Sequence, residues 1–318
     1  MKSVTAQDLV KTYGTKKDVV TALNNVSFEV EQGELFGIIG PDGAGKTSLF
    51  RILTTLLLAD SGRATVDNLD VVKDLKAIRK RVGYMPGRFS LYQDLTVAEN
   101  LEFFATIFET SIQENYDLIK DIYQQIEPFK DRRAGKLSGG MKQKLALSCA
   151  LIHRPGVLFL DEPTTGVDAV SRKEFWDMLK TLKRQGITIL VSTPYMDEAS
   201  LCDRVALIQT GNILSIDSPA GIVDNFKPTL LAVRANQMYP LLLDLQRYEG
   251  ARDAYAFGEY HHLVLKSGFN EAGVRSYLDR SAHEGVEIKP SRPVIEDCFI
   301  ALMKQPTGAA ADNHQPSA

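Results

Sequence analysis

Cysteine is scarce in this 318-residue chain. The three present, Cys149, Cys202 and Cys298, lie far apart. They form no metal-binding pattern and suggest a reducing compartment, each reading most simply as a small buried apolar residue. No apolar run reaches the length of a membrane span. The opening residues Met1-Lys2-Ser3-Val4 lack the apolar core of a signal peptide. Nor is there a basic excess. The 37 Lys and Arg against 40 Asp and Glu leave a net charge of −3, without the basic footprint that a nucleic-acid partner usually leaves. What remains is ordinary for a globular chain, 44% hydrophobic and 24% charged. The length suggests about two domains and a sizeable core.

The most informative stretch is Gly40-Pro41-Asp42-Gly43-Ala44-Gly45-Lys46-Thr47, which fits the pattern of a phosphate-cradling loop. A short apolar run, Leu35 to Ile39, precedes it as a buried strand. A helical pattern, Ser48 to Leu57, follows. The glycines let backbone N–H groups turn inward towards phosphate oxygens, and the helix N-terminus adds its positive end. Lys46 would reach the β- and γ-phosphates, and Thr47 would offer its hydroxyl to Mg²⁺.

Residues 1–222 alternate short strands with helical patterns, as an α/β domain does. Strands are expected at Val157–Leu160, Thr188–Ser192 and Val205–Gln209. Residues 91–151 carry helix-period apolar positions instead, with Phe103, Phe104, Ile107 and Phe108 on one face, and read as a helical insert. Asn225-Phe226-Lys227-Pro228 marks a boundary. Residues 229–304 follow as a small α+β domain in the order strand, helix, strand, strand, helix, strand, helix. His261-His262 and Gly258 fall near a turn between two of its strands. Residues 305–318 have the composition of a disordered tail.

Two further motifs stand at informative distances. Val157-Leu158-Phe159-Leu160-Asp161-Glu162 is an apolar strand ending in two carboxylates. The first suits Mg²⁺, and the second suits a general base beside a γ-phosphate. Shortly before it, Leu137-Ser138-Gly139-Gly140-Met141-Lys142-Gln143 is a Ser-Gly-Gly turn opening a helix. Alone such a turn is also an ordinary loop. In this order and spacing the three motifs make the chain resemble the nucleotide-binding subunit of an ABC transporter over about residues 1–222. It is most similar to the ABC-2 type exporter ATPases that work with separate membrane subunits and carry a C-terminal extension.

The resemblance implies a P-loop ATPase fold, ATP and Mg²⁺ as ligands, and further roles. Tyr13 matches the aromatic that stacks on adenine. Gly40, Pro41, Asp42, Gly43, Ala44, Gly45, Lys46, Thr47 and Ser48 match the nucleotide site, with Thr47 and Asp161 at the metal and Glu162 as catalytic base. Asp168 matches a residue that touches the opposite subunit. Family members pair head to tail, so Ser138, Gly139 and Gly140 would contact ATP held by the partner. Two positions depart from the family pattern. Gly87 follows Tyr84-Met85-Pro86 where a glutamine is usual, and Pro194 follows Ser192-Thr193 where a histidine is usual.

The expected function is that of an ATP-hydrolysing subunit powering an exporter. It would sit in the cytoplasm, held peripherally on the inner face of the plasma membrane by its membrane subunits, with no nucleic-acid partner. Gly87 and Pro194 keep an alternative open, a mainly ATP-binding switch with a degenerate site that serves a catalytic ATPase partner. The dimer could be homomeric or heteromeric. The C-terminal block could tune the motor or be a passive appendage. The cargo is not legible, because cargo is bound by other chains.

Overall fold

A computed structural model describes residues 1–15, 18–88, 90–281 and 283–304. The expected tail, 305–318, lies outside these. The described residues fall into two units, one of residues 1–220 with 302–304 and the other of residues 221–301.

In the first unit, an antiparallel sheet is built from β1 (Lys2–Tyr13), β2 (Val20–Glu31), β4 (Ser61–Val66) and β5 (Leu69–Asp70), in the order β2-β1-β4-β5. A second sheet holds β3 (Leu35–Ile39), β6 (Val82–Met85), β7 (Val157–Asp161), β8 (Thr188–Thr193), β9 (Arg204–Gln209) and β10 (Asn212–Asp217), in the order β10-β9-β3-β8-β7-β6. Its strands are parallel except for β10 at one edge. The apolar runs of β3, β7 and β8 are buried at every position, as expected of parallel strands covered on both faces. One core joins the two sheets. Phe28 of β2 stacks on Phe36 of β3 at 5.6 Å, and Phe159 of β7 meets Phe50 edge-on at 5.7 Å.

The helices of this unit are α1 (Lys46–Leu53), α2 (Leu75–Arg79), α3 (Val97–Ile107), α4 (Tyr116–Tyr123), α5 (Gly139–Leu151), α6 (Ala169–Arg184) and α7 (Pro219–Asp224). The last of these crosses the division between the units. Helix α1 stops four residues short of the expected Leu57. The Thr54 hydroxyl donates back to Phe50 O, and Thr55 adopts φ 65°, the left-handed conformation that ends a helix. Helix α3 opens on a capping box: Glu99 N–H donates to Thr96 Oγ1 and Thr96 N–H to Glu99 Oε2. Its buried face is Val97, Leu101 and Ala105. Phe104, Ile107 and Phe108 point elsewhere. They line an open groove of about 340 Å³ with Leu56, Tyr84 and Met85.

The second unit runs β11 (Leu230–Arg234), α8 (Met238–Arg247), β12 (Ala251–Phe257), β13 (Tyr260–Leu265), α9 (Glu271–Leu278), β14 (Glu287–Pro290) and α10 (Ile295–Met303), the last two residues of which fall to the first unit. That is the order read from the sequence. The strands form an antiparallel sheet, β12-β13-β11-β14, the split βαβ arrangement. Gly258, at φ 56°, starts the two-residue turn between β12 and β13. Leu231, Val233, Leu241, Leu245, Leu263 and Val274 are among the residues of its own core.

All three cysteines are buried and free. Burial pushes their thiols up, that of Cys298 to about 11, which suits an inert packing role. Among the described residues no helix is long and apolar enough to cross a membrane.

Candidate functional site

Strand register assembles the site. Strand β8 lies between β3 and β7, with Ile39 paired to Thr193 and Asp161 paired to Ser192. On the far side of β7, Leu160 pairs with Met85. The loop from Gly40, the Pro194 turn, Glu162 and the Pro86-Gly87 segment therefore all leave the sheet at one edge. It is the carboxyl edge, where open α/β sheets bind ligands.

The loop after β3 demands glycine at two close approaches. A Cβ on Gly40 would stand 2.1 Å from Ile208 O, and one on Gly45, at φ 105°, would stand 2.1 Å from Ala22 O. Lys46 follows at the start of α1 and is only 3% exposed. Its ammonium donates to Gly40 O at 2.9 Å and Pro41 O at 3.0 Å, and pairs with Glu162 Oε1 at 3.0 Å. The rest of the loop, Asp42, Gly43 and Ala44, is tied down through Ala44: its N–H donates to Pro41 O and its carbonyl accepts from Gly211 N–H. Thr47 and Ser48 lie in the first turn of α1. The Tyr13 hydroxyl stands 3.1 Å from Ser48 Oγ, with its ring half-exposed beside Lys11.

Ser192 bonds both acidic residues, Asp161 through its carboxylate and Glu162 through its backbone. Its hydroxyl donates to Asp161 Oδ1 at 2.6 Å. Its Oγ and backbone O each accept from Glu162 N–H at 3.0 Å. Asp161 is buried. Glu162 adopts φ 50°, an uncommon conformation for a residue with a side chain and one that clusters at functional positions. The Tyr84 hydroxyl is pushed up to about 12, first by burial and then by the neighbouring charge of Asp161. Gly87 abuts the pair: a Cβ there would lie 3.0 Å from Asp161 O. Thr193 O, just before Pro194, accepts from Gly40 N–H at 3.2 Å. Both departures from the family pattern thus border the site.

The Ser-Gly-Gly turn lies elsewhere. Ser138 caps α5 by accepting from Met141 N–H. A Cβ on Gly139 would be nearest Gly166 O, and one on Gly140 would meet Ser171 Oγ at 2.7 Å. Among the described residues, Ser138, Gly139 and Gly140 make no hydrogen bond to the phosphate loop. Asp168 caps α6, accepting from Val170 and Ser171 N–H. The Ser171 bond leads in holding its carboxyl below the usual range.

Three residues of this neighbourhood carry no motif signal of their own role. Ser192 was visible as part of a strand but not as the partner of both acids. Gln143, inside the Ser-Gly-Gly motif, donates to Pro163 O just beyond the acids. Glu198, from a 3₁₀ turn at Met196–Leu201, is buried behind β8. No group of three or more His, Cys, Asp or Glu side chains among the described residues could hold a metal by itself. The donor set here, one carboxylate and a threonine hydroxyl, fits Mg²⁺, which keeps waters and shares substrate phosphates instead of filling an all-protein cage.

A family model described as ABC transporter matches residues 23–165, which include the loop, the Ser-Gly-Gly turn and the acid pair. The chain is 37% identical over 291 residues to the "Probable multidrug ABC transporter ATP-binding protein YbhF" of Escherichia coli K12, covering 90% of this chain and 49% of that one. It therefore spans about half the length of that relative. It is 37% identical over 222 residues to the "Nod factor export ATP-binding protein I" of Burkholderia lata, covering 69% of this chain and 72% of that one. Among solved structures, the ATP-binding cassette MJ0796, a dimer in a post-hydrolysis state bound to ADP and Pi, superposes with a TM-score of 0.62 at 26% identity. It covers 68% of this chain and 98% of its own. A P-loop flanked by buried Lys46 and the Asp161-Glu162 pair, on this sheet and with these relatives, places the chain in the family of ABC transporter ATP-binding proteins.

Proposed function

We propose that this chain is the cytoplasmic ATP-hydrolysing subunit of an exporter, working with separate membrane subunits and a second ATP-binding subunit. The observation that carries the reading is the convergence of Lys46, Asp161 and Glu162 at the end of three adjacent strands. Lys46 and the N–H groups of the loop would bind the phosphates, and Tyr13 would stack on the adenine. Thr47 and Asp161 would hold Mg²⁺, whose charge offsets that developing on the transferred phosphoryl group. Glu162 would accept a proton from the attacking water, its carboxylate aimed by the backbone hydrogen bonds to Ser192.

Ser138, Gly139, Gly140 and Asp168 would serve the partner subunit's site. Their placement beside Gly166 and Ser171, away from their own phosphate loop, supports that assignment. The open apolar groove at Phe104, Ile107 and Phe108 would take a helix of a membrane subunit, so that motion of α3 reaches the membrane. The export direction follows the relatives named for multidrug transport and Nod factor export.

The test is Mg²⁺-dependent phosphate release from ATP by the purified chain, alone and with its co-expressed membrane subunits. Release that disappears in Glu162→Gln while nucleotide still binds supports the motor. Tight ATP binding without turnover in any assembly would replace it with the ATP-binding switch. Failure to bind ATP would remove both.

A further inference from the structure

We propose that Glu198 is a positioning residue. It clamps the loop after the Asp161-Glu162 pair to the end of β8 and so holds the hydrolytic geometry where Pro194 offers no side-chain donor. The inference rests on the ATPase reading above. The Glu198 side chain is 1% exposed. Its Oε1 accepts from the Thr164 hydroxyl at 2.7 Å, and its Oε2 accepts from the Thr193 hydroxyl at 2.5 Å. Both threonines are fully buried.

Each threonine belongs to a different part of the site. Thr164 lies two residues beyond Glu162, in the turn leading to Asp168 and α6. Thr193 lies at the end of β8, and its carbonyl receives Gly40 N–H from the phosphate loop. A third segment joins from α6. Arg172 Nε stands 3.7 Å from Glu198 Oε1, and its guanidinium covers the Tyr195 ring at 4.2 Å. Tyr195 N–H in turn donates to Thr193 Oγ1. One buried carboxylate therefore fixes the acid-pair loop, the end of β8 and the start of α6 relative to one another. A buried carboxylate with two hydroxyl donors is a stiff joint, because losing either donor leaves an acceptor unsatisfied. Misplacement of about 1 Å at a reacting group can lower a rate about a hundredfold, so such a joint acts on turnover more than on binding.

The experiment compares Glu198→Leu, Glu198→Gln and the paired Thr164→Val, Thr193→Val variant in the full chain. Mg-ATP is the substrate. A fluorescent ATP analogue gives binding separately. The double valine variant keeps volume, so it serves if Glu198→Leu does not fold. The expected result is a fall in kcat of at least about tenfold for Glu198→Leu and for the double variant. KM and analogue binding should stay within about threefold. Glu198→Gln should keep most of the rate, since an amide can still bond both hydroxyls. An unchanged kcat in the double variant overturns the proposal. So does a loss in Glu198→Gln equal to that in Glu198→Leu, or a parallel loss of binding and turnover.

If the unaltered chain hydrolyses no ATP either alone or with its co-expressed membrane subunits, the ATPase reading fails. The clamp is then read by amide hydrogen exchange. Residues 163–168 and 193–198 should lose protection together in the double variant. Loss confined to one of the two segments overturns it.

Discussion

The ammonium of Lys46 and the carboxylate of Glu162 form an ion pair of 3.0 Å at the end of the central sheet. Each is the other's charged partner, and in the proposed function each would be needed elsewhere during hydrolysis: Lys46 at the phosphates, Glu162 at a water. On that proposal, binding of a triphosphate would draw Lys46 away and free the base, and the pair would link occupancy to readiness. Lys46→Ala should weaken nucleotide binding by roughly tenfold to a hundredfold, the worth of a charged hydrogen bond. Glu162→Gln should leave binding intact and cut phosphate release by at least about a hundredfold. Analogue titration and steady-state phosphate release measure the two effects.

Restoring the two missing side chains should raise turnover. Gly87 borders Asp161, and Pro194 follows the strand end that receives Gly40 N–H. In the chain alone, Gly87→Gln with Pro194→His should increase the rate at least about tenfold, given what one transition-state donor contributes. A Cβ added at Gly87 would press on Asp161 O at 3.0 Å, so Pro194→His should give the cleaner gain by itself. Brisk hydrolysis by the unaltered chain, unchanged by a partner ATPase, would instead mark a site that works without these groups.

Cutting the chain after Lys227 should leave ATP binding unchanged, because the second unit carries its own core and every residue assigned to the nucleotide lies before Ala220. Analogue binding by the truncated chain is the measurement. An insoluble or non-binding product would overturn the two-domain division.

Acid stability should depend on Asp60. Its carboxyl is held at about 2 instead of 3.8 by the Lys11 ammonium, then by Thr12 N–H and the Thr12 hydroxyl. A lowered folded-state value stabilises above the unfolded value and loses that contribution as pH falls from 3.8 to about 2. Asp60→Asn should flatten the unfolding curve over that window and leave its slope near neutrality unaltered, as read by circular dichroism against pH. The same change should weaken the hold on Thr12 at the end of β1, next to Tyr13.

Much of this architecture was legible because it is local. The buried run Leu35 to Ile39, the loop to Thr47 and the strand into Asp161 each announce themselves within a few residues. The C-terminal order of strands and helices was also readable from period alone. The end of α1 was not, since a left-handed Thr55 leaves no pattern mark. Phe103, Phe104, Ile107 and Phe108 read as one face, yet Phe103 meets Tyr92 while the other three line the groove. The stripe of α3 that packs inward is Val97, Leu101 and Ala105. The roles of Ser192, Gln143 and Glu198 were out of reach for a different reason. Each has a partner 20 to 34 residues away, and the fold makes the introductions.

The register of β8 has a consequence for folding fidelity. Successive side chains on β8 point to opposite faces. A slip of one residue against β7 and β3 that brings Val191 opposite Asp161 would turn the Ser192 hydroxyl away from both acidic residues. The misaligned sheet would still bury Val191, Leu190 and Ile189 and could remain compact. It would nonetheless lose the hydroxyl that bonds Asp161 and Glu162 N–H, and shift Thr193 O away from Gly40 N–H. Parallel sheets pair late, since their contacts are distant in sequence. A population of this protein refolded in haste should therefore contain well-collapsed but inert molecules, not partly active ones. Its specific activity would then count the fraction in register.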